Sequence, residues 1–261
     1  MTILDKIIAE KYREVETQKT LVTTKSLEKR VGFTKSVLSM KKAITSNGSS
    51  GIIAEFKRRS PSKGTLNNKI RVEDVTAGYA SAGAAGLSVL TDRPFFGGSP
   101  VDLIAAKELN NIPILRKDFI VDEYQILESK AMGADVILII ASVLDADQIK
   151  KFSSLAKSLG MEILFEIHSI EELDKIDLNI DMIGVNNRDL KDFKVDIGNS
   201  IELAKYITEN FIKVSESGLD NPDKIMQLRN YGYHGFLIGE SFMKHEDPGF
   251  ACREFIEKLN G

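Results

Sequence analysis

Short apolar, β-branched runs alternate along the chain with longer amphipathic segments studded with charge. The runs are Ile52–Phe56, Gly86–Leu90, Ile112–Leu115, Val136–Ile140, Glu162–Phe165, Met182–Val185, Phe211–Val214 and Gly235–Ile238. Several are apolar at nearly every position, VILII most clearly, which suits strands covered on both faces in a parallel sheet. Parallel neighbours need a crossover, usually a helix, and helix signals do fall between the runs. Ser99–Pro100 and Asn221–Pro222 each read as an N-cap followed by proline at the first helical position. Gly133 and Gly160 close two further helical segments. Eight strand–helix units in 261 residues predict an α/β chain closed into a (βα)8 TIM barrel, a fold that commonly takes about 250 residues. A doubly wound open sheet would typically use fewer strands.

Residues 1–47 stand before the first strand and read as an N-terminal helical extension packed on the barrel of residues 48–261, the whole being a single domain. The pattern predicts one helix from Ile3 to about Gln18, a shorter one near Val37–Ala43, and a turn-rich SNGSSG hinge. Two placements are open to the extension: a plug beneath the barrel, or a flap over its mouth.

Composition narrows the partners. With 43% hydrophobic and 28% charged residues the chain is an ordinary globular protein. Its 35 basic and 38 acidic residues leave a formal charge of −3, without the basic excess of a nucleic-acid surface. No stretch approaches the ~18 apolar residues of a membrane helix, and the N-terminus lacks the apolar core of a signal peptide. The single cysteine, Cys252, excludes an intramolecular disulfide and reads as a packed core residue; a reducing, cytoplasmic compartment is expected. Nothing demands an oligomer, so a monomer is the default.

In such barrels the active site lies at the C-terminal ends of the strands, and charged and amide groups gather there. The first run leads into Glu55, Lys57, Arg58, Arg59, Ser60 and Lys63; the third into Arg116, Lys117 and Asp118. Glu166 follows the fifth, Asn186, Asn187 and Arg188 the sixth, and Ser215–Gly218 the seventh; Gly239, Glu240 and Ser241 follow the eighth. Strand alternation puts Glu55 and Lys57 on one face, and that face could be the barrel interior. Small residues in SESG and IGES after the last two strands offer free backbone N–H groups at helix starts, where phosphate is favoured. His168, His234 and His245 are too scattered to hold a metal, and His168 reads as a solvated turn residue.

The segments IAEFKRRSPSKG, LTDRPFFGGS, LRKDFIVDEYQI, GVNNRDL, VSESGL and GFLIGESFM closely resemble those of indole-3-glycerol-phosphate synthases, and the resemblance covers nearly the whole chain. It implies a carboxy-lyase of tryptophan biosynthesis, working without cofactor or metal on a small phosphorylated substrate, 1-(2-carboxyphenylamino)-1-deoxyribulose 5-phosphate. By match of motif, Lys117 corresponds to the general acid, and Glu55, Lys57 and Glu166 to the acid–base and charge-positioning set. Asn186 would stand near the substrate hydroxyls, and Arg188 would meet the aromatic carboxylate or shape the site. Ser60, Ser217, Gly218, Gly239 and Glu240 fall on phosphate-cradling positions, Glu240 through its backbone N–H. Phe95 and Phe119 match aromatic-ring contacts, with Leu190 and Leu237 as apolar walls. Whether Lys57 or Glu166 acts in the dehydration stays open. Two rivals remain: an isomerase built on a related phosphate-binding barrel, which would be expected to lack the extension and the Glu55–Lys57 pair with Lys117, and an idle sugar-phosphate binder.

Overall fold

The computed structural model describes residues 2–67, 69–189 and 193–261. Eight parallel strands close a barrel in sequence order: β1 (Ile52–Phe56), β2 (Gly86–Leu90), β3 (Ile114–Lys117), β4 (Val136–Ile140), β5 (Glu162–Ile167), β6 (Met182–Asn186), β7 (Ile212–Glu216) and β8 (Tyr233–Ile238), with β8 returning to pair with β1. Four helices precede the barrel: α1 (Ile3–Leu21), α2 (Thr24–Glu28), α3 (Val31–Thr34) and α4 (Met40–Thr45). Around it run α5 (Val72–Ser81), α6 (Arg93–Phe96), α7 (Pro100–Leu109), α8 (Glu123–Met132), α9 (Ala146–Ser158), α10 (Gly198–Leu203), α11 (Pro222–Arg229), α12 (Glu240–Met243) and α13 (Pro248–Asn260). The expected N-caps hold: the side chains of Ser99 and Asn221 accept from the backbone N–H of Val101 and Asp223. The fifth crossover departs from the pattern. It is a 3-10 helix, Ile170–Lys175, whose Lys175 ammonium donates to the carbonyls of Ala141 and Leu144.

Four strands run further at their C-terminal ends than their apolar residues suggest. Lys117 pairs in register with Leu90, Glu166 with Ile140, and Asn186 with Glu216. An apolar run stops at the first charge, but the backbone ladder does not require apolar side chains. The polar residues at the mouth are therefore held by the sheet itself.

Alternation along each strand sends one set of side chains inward and the other against the helices. Ile53, Leu115, Leu164 and Val214, from the odd-numbered strands, share one apolar cluster with Val136, Leu138, Met182 and Leu237 from the even ones. Two residues further along, the odd strands carry Glu55, Lys117, Glu166 and Glu216, all enclosed at the barrel mouth. The interior is thus apolar below and charged above, in the layered arrangement typical of this fold.

The extension occupies both ends of the barrel. At the bottom, Met40 and Ile44 of α4 join the interior cluster. They fill space left by Gly86 and Gly235: a Cβ at Gly86 would collide with the Met40 side chain, and one at Gly235 would come within 3.1 Å of Ile44 Cδ1. The α4 helix begins at Met40 rather than Val37, because Ser39 is its N-cap and also reaches Glu162 at the start of β5. At the opposite end, Ile3, Leu4 and Ile7 of α1 face the mouth.

One buried cation ties α1 to that mouth. Lys11 is 2% exposed, with Nζ 2.6 Å from Glu14, 3.1 Å from Asp92 and 2.9 Å from Asp118. Burial opposes its charge, but Asp118, Asp92 and Glu14 together hold the ammonium well above the usual lysine range. Asp118 in turn accepts from Arg116 and Thr91. Removing one partner of a buried ion cluster strands the others, at about 3–5 kcal/mol. Lys11→Met should therefore lower unfolding stability by about that much in urea titrations, whereas Lys6→Met on an outward position of α1 should leave it near the wild-type value.

Candidate active site

A cavity of about 620 Å³ opens at the C-terminal end of the barrel. Its floor is the charged layer. Lys117 Nζ lies 2.8 Å from Glu166 Oε2 and 2.5 Å from Glu216 Oε2. Across the barrel, Lys57 donates to Glu55 Oε1 at 2.6 Å, and Ser88 donates to the other Glu55 oxygen at 3.3 Å. Glu55 does point into the barrel, as alternation suggested, with Lys57 above it on the same side. Asn186 donates to Glu166 Oε1 at 3.2 Å, and its own carbonyl oxygen accepts the backbone N–H of Arg188.

The two carboxylates on Lys117 are not equivalent. Burial disfavours ionisation of Glu166, but Lys117, His168 and the Asn186 amide together hold it down, to about 2. Glu216 is pushed up to about 7: burial dominates, Lys117 opposes it, and the neighbouring Glu166 and Glu55 charges add to it. One ammonium can match one negative charge fully, and the second carboxylate then retains a proton more readily. Glu216 is the one with less support, since its Oε1 is buried without a hydrogen-bond partner. That oxygen sits over Gly184, where a Cβ would collide with it and come within 3.2 Å of Leu164. Lys117 itself stays cationic: burial is outweighed by Glu166, Glu216 and Glu55, which raise its pKa.

The walls are of two kinds. Leu90, Phe96, Phe119, Leu138 and Leu237 present apolar surface, and the rings of Phe96 and Phe119 lie 5.9 Å apart, tilted by 39°. Ser60, Ser217, Gly218, Gly239 and Glu240 also line the cavity. Ser217 and Gly218 both take left-handed backbone, at φ 69° and 76°. A serine in that region is strained by about 1–3 kcal/mol. Asn187 helps to hold the turn, donating from its buried amide to the Ser217 carbonyl and to Ser215 Oγ. Backbone N–H groups left free in a turn of this kind can form a concavity suited to an anion.

Most of the residues singled out from the sequence meet at this cavity; the differences are specific. Phe96 rather than Phe95 faces the cavity: α6, capped by Asp92, turns Phe95 away, where its carbonyl accepts from Arg59. Leu190 lies outside the described residues. Arg188 is no free cation but pairs with the Glu240 carboxylate at 3.1 Å and with the Phe193 carbonyl at 3.4 Å, which favours site shaping over carboxylate capture. His168 is not solvated: its side chain is only 15% exposed and lies 3.6 Å from Glu166. Glu216 stood among the strand-end charges without a role assigned. Its position two residues beyond Val214, in phase with Glu55, Lys117 and Glu166, is the signal that could have found it.

No group of three or more acidic, histidine or cysteine side chains suited to a metal ion occurs among the described residues, and no described helix is long and apolar enough to cross a membrane.

A sequence model of indole-3-glycerol phosphate synthase matches residues 4–255. The chain is 46% identical over 257 residues to an indole-3-glycerol phosphate synthase of Bacteroides thetaiotaomicron, covering 98% of each chain. It is 41% identical to one from Thermoanaerobacter pseudethanolicus, covering 99% of each. Among solved structures, the barrel of 3-hexulose-6-phosphate synthase from Salmonella typhimurium superposes with a TM-score of 0.62 at 13% identity, over 80% of this chain and 98% of that one; at that identity the likeness is one of fold alone. Coverage and identity together show that the chain belongs to the indole-3-glycerol phosphate synthase family.

Proposed function

We propose that the charged layer at the barrel mouth carries out the ring closure, decarboxylation and dehydration that convert 1-(2-carboxyphenylamino)-1-deoxyribulose 5-phosphate into indole-3-glycerol phosphate. The observation that carries this reading is the Lys117 ammonium, clamped by two carboxylates and open to a cavity with one aromatic wall and one wall of small polar residues.

The phosphate would take the Ser217–Gly218 turn and the backbone N–H groups near Gly239 and Glu240, with Ser60 across from them. The anthranilate ring would lie against Phe96, Phe119 and Leu237. This places the sugar carbonyl near Lys117. Attack by the ring carbon that bears the carboxylate pushes electrons onto the C2 oxygen; Lys117 stabilises that charge and delivers a proton. Carbon dioxide then leaves, its bonding electrons restoring the aromatic ring, and the apolar wall keeps water from the reacting carbon. Finally the C2 hydroxyl departs as water with one added proton, while C1 loses one. Glu166, held ionised, is suited to take the C1 proton, and Lys57, bonded to a single carboxylate, to supply the acid. Glu216, retaining its proton to about pH 7, stands next to Lys117 and can restore its proton after turnover. The same reading makes α1 a roof over the substrate through Ile3, Leu4 and Ile7, and places the enzyme in the cytoplasm as a monomer with no cofactor.

Turnover followed by indole fluorescence tests the assignment. Wild type should form the indole, and Lys117→Ala should lower kcat by about 10²-fold or more. A folded wild type that binds this substrate without turning it over would leave the idle-binder reading in its place. Ile7→Ala should raise KM several-fold with kcat little changed; truncation before Thr45 would be a poorer test, since it also strips Met40 and Ile44 from the barrel floor.

Glu216 makes a separate prediction for stability. A carboxyl whose proton is bound more tightly in the folded protein stabilises it at low pH, and that contribution is lost as pH rises from the ordinary carboxylate range through about 7. Urea unfolding at pH 5 and pH 8 should thus show a smaller fall between the two for Glu216→Gln than for wild type.

A further inference from the structure

His168 is a largely enclosed titratable group beside the site, its side chain 15% exposed, that the reaction sequence above does not use. It follows β5 directly, two residues beyond Glu166, so the strand's alternation carries its ring to the same side as that carboxylate. Nε2 lies 3.6 Å from Glu166 Oε1, and Nδ1 lies 3.8 Å from Glu172 Oε2. Both ring nitrogens are shut off from solvent, and neither makes a hydrogen bond. The backbone leaves the ring little freedom to withdraw: the His168 N–H donates to Glu172 at 2.6 Å, and its carbonyl accepts from Asn199 at 3.2 Å. His168 does not line the cavity, so it touches the acid–base group rather than the substrate.

The charged groups nearest its ring are acidic, with the Lys117 ammonium beyond Glu166 on that carboxylate's other oxygen. Glu166 comes from β5, Glu172 from the 3-10 helix, and Glu216 from β7 at longer range. Burial works against charging the ring, yet these three carboxylates raise its pKa above the usual histidine value. The environment of Glu166 is then two-sided: Lys117 holds Oε2, and the imidazole stands behind Oε1 beside the Asn186 amide.

We propose that His168 is a positioning residue for Glu166, an imidazolium that holds the carboxylate ionised and aimed at the reacting centre from the side away from Lys117. The inference rests on the reading of Glu166 as the base. Its chemical content is an internal counter-charge: with His168 protonated, Glu166 keeps a cation beside Oε1 while Lys117 is engaged with substrate. A neutral residue at position 168 would leave Glu166 dependent on the same ammonium that must also serve the C2 oxygen.

The test is the pH dependence of kcat for wild type, His168→Asn and His168→Gln, with direct NMR titration of the His168 ring in the wild-type enzyme and in Glu166→Gln. An opposite charge within about 4–6 Å shifts a carboxylate by about 1–3 units; for a ring without a direct hydrogen bond, the lower end applies. The acid limb of kcat should therefore move up by about one unit in both His168 variants. Their rates should fall several-fold at low pH and converge on wild type at high pH, where the wild-type ring is neutral, with KM unchanged. By linkage, Glu166→Gln should lower the His168 midpoint by a similar amount. Superimposable pH profiles with only a lower Tm would reduce His168 to a packing residue and overturn the proposal, as would a His168 midpoint indifferent to Glu166→Gln. If Glu166→Gln instead keeps full kcat, it is the reading of Glu166 as base that fails; the NMR coupling then still reports whether His168 and Glu166 share a proton equilibrium. Should both His168 variants fail to fold, the titration in the two folded proteins decides alone.

Discussion

Burying an ammonium such as that of Lys117 costs several kcal/mol in lost hydration, and a single carboxylate partner often does not recover it. The barrel sets two carboxylates against it, from β5 and β7, and this choice shapes the rest of the interior. Two carboxylates and one cation in a desolvated layer leave a surplus negative charge. The surplus is met by a proton retained on Glu216, by the Asn186 amide and by the imidazole of His168. Gly184 follows from the same constraint, because any side chain there would occupy the space of the Glu216 carboxylate. What looks from the sequence like a set of independent strand-end charges is one electrostatic unit, spread over alternate strands and fixed by the register of the sheet.

Such a unit needs a floor that does not yield. The layer beneath it, Ile53, Leu115, Leu164 and Val214, is apolar and enclosed. The barrel cannot fill its own lower end, where Gly86 and Gly235 leave gaps, and Met40 and Ile44 from the extension fill them. At the other end the same extension presents Ile3, Leu4 and Ile7 to the cavity and is anchored there by Lys11. Lys11 pairs with Asp118, the residue directly after Lys117, so the segment that covers the site is fastened to the strand that carries its principal cation. One stretch of chain thus supports the charged layer from below and encloses it from above.

The barrel was legible because its signals are local and repeated: apolar runs, proline after an N-cap, glycine after a helix. The bounds of the strands were less so. The apolar pattern stops at Lys117, Glu166, Asn186 and Glu216, whereas the hydrogen-bonded ladder runs through them. Glu216 escaped a role for that reason: a glutamate read as part of a loop carries no phase, while one read as the end of β7 falls in line with three others. The choice between Phe95 and Phe96 depended on the turn of a four-residue helix, which adjacent phenylalanines cannot reveal. The enclosure of His168 was hidden as well: its backbone is tied to Glu172 and Asn199, contributed by a short 3-10 helix and by α10, elements whose docking no local pattern announces. The two placements open to the extension were not alternatives, since different helices occupy each.

Why the surplus charge is balanced by groups that can release or accept protons, rather than by another lysine, follows from what enters the site. The proposed substrate brings a phosphate and a carboxylate, both anionic. A layer with a standing negative excess would repel them. Retaining a proton on Glu216 and an imidazolium behind Glu166 keeps the layer near neutrality yet leaves one carboxylate ionised. The loss of carbon dioxide removes a negative charge partway through, so the layer must suit first a carboxyphenyl sugar phosphate with about three negative charges and then a product with less charge. A carboxyl that titrates near neutrality, as Glu216 does at about 7, can adjust to that change by moving a proton over a few ångströms, which a fixed lysine–glutamate pair could not do without breaking its own ion pair.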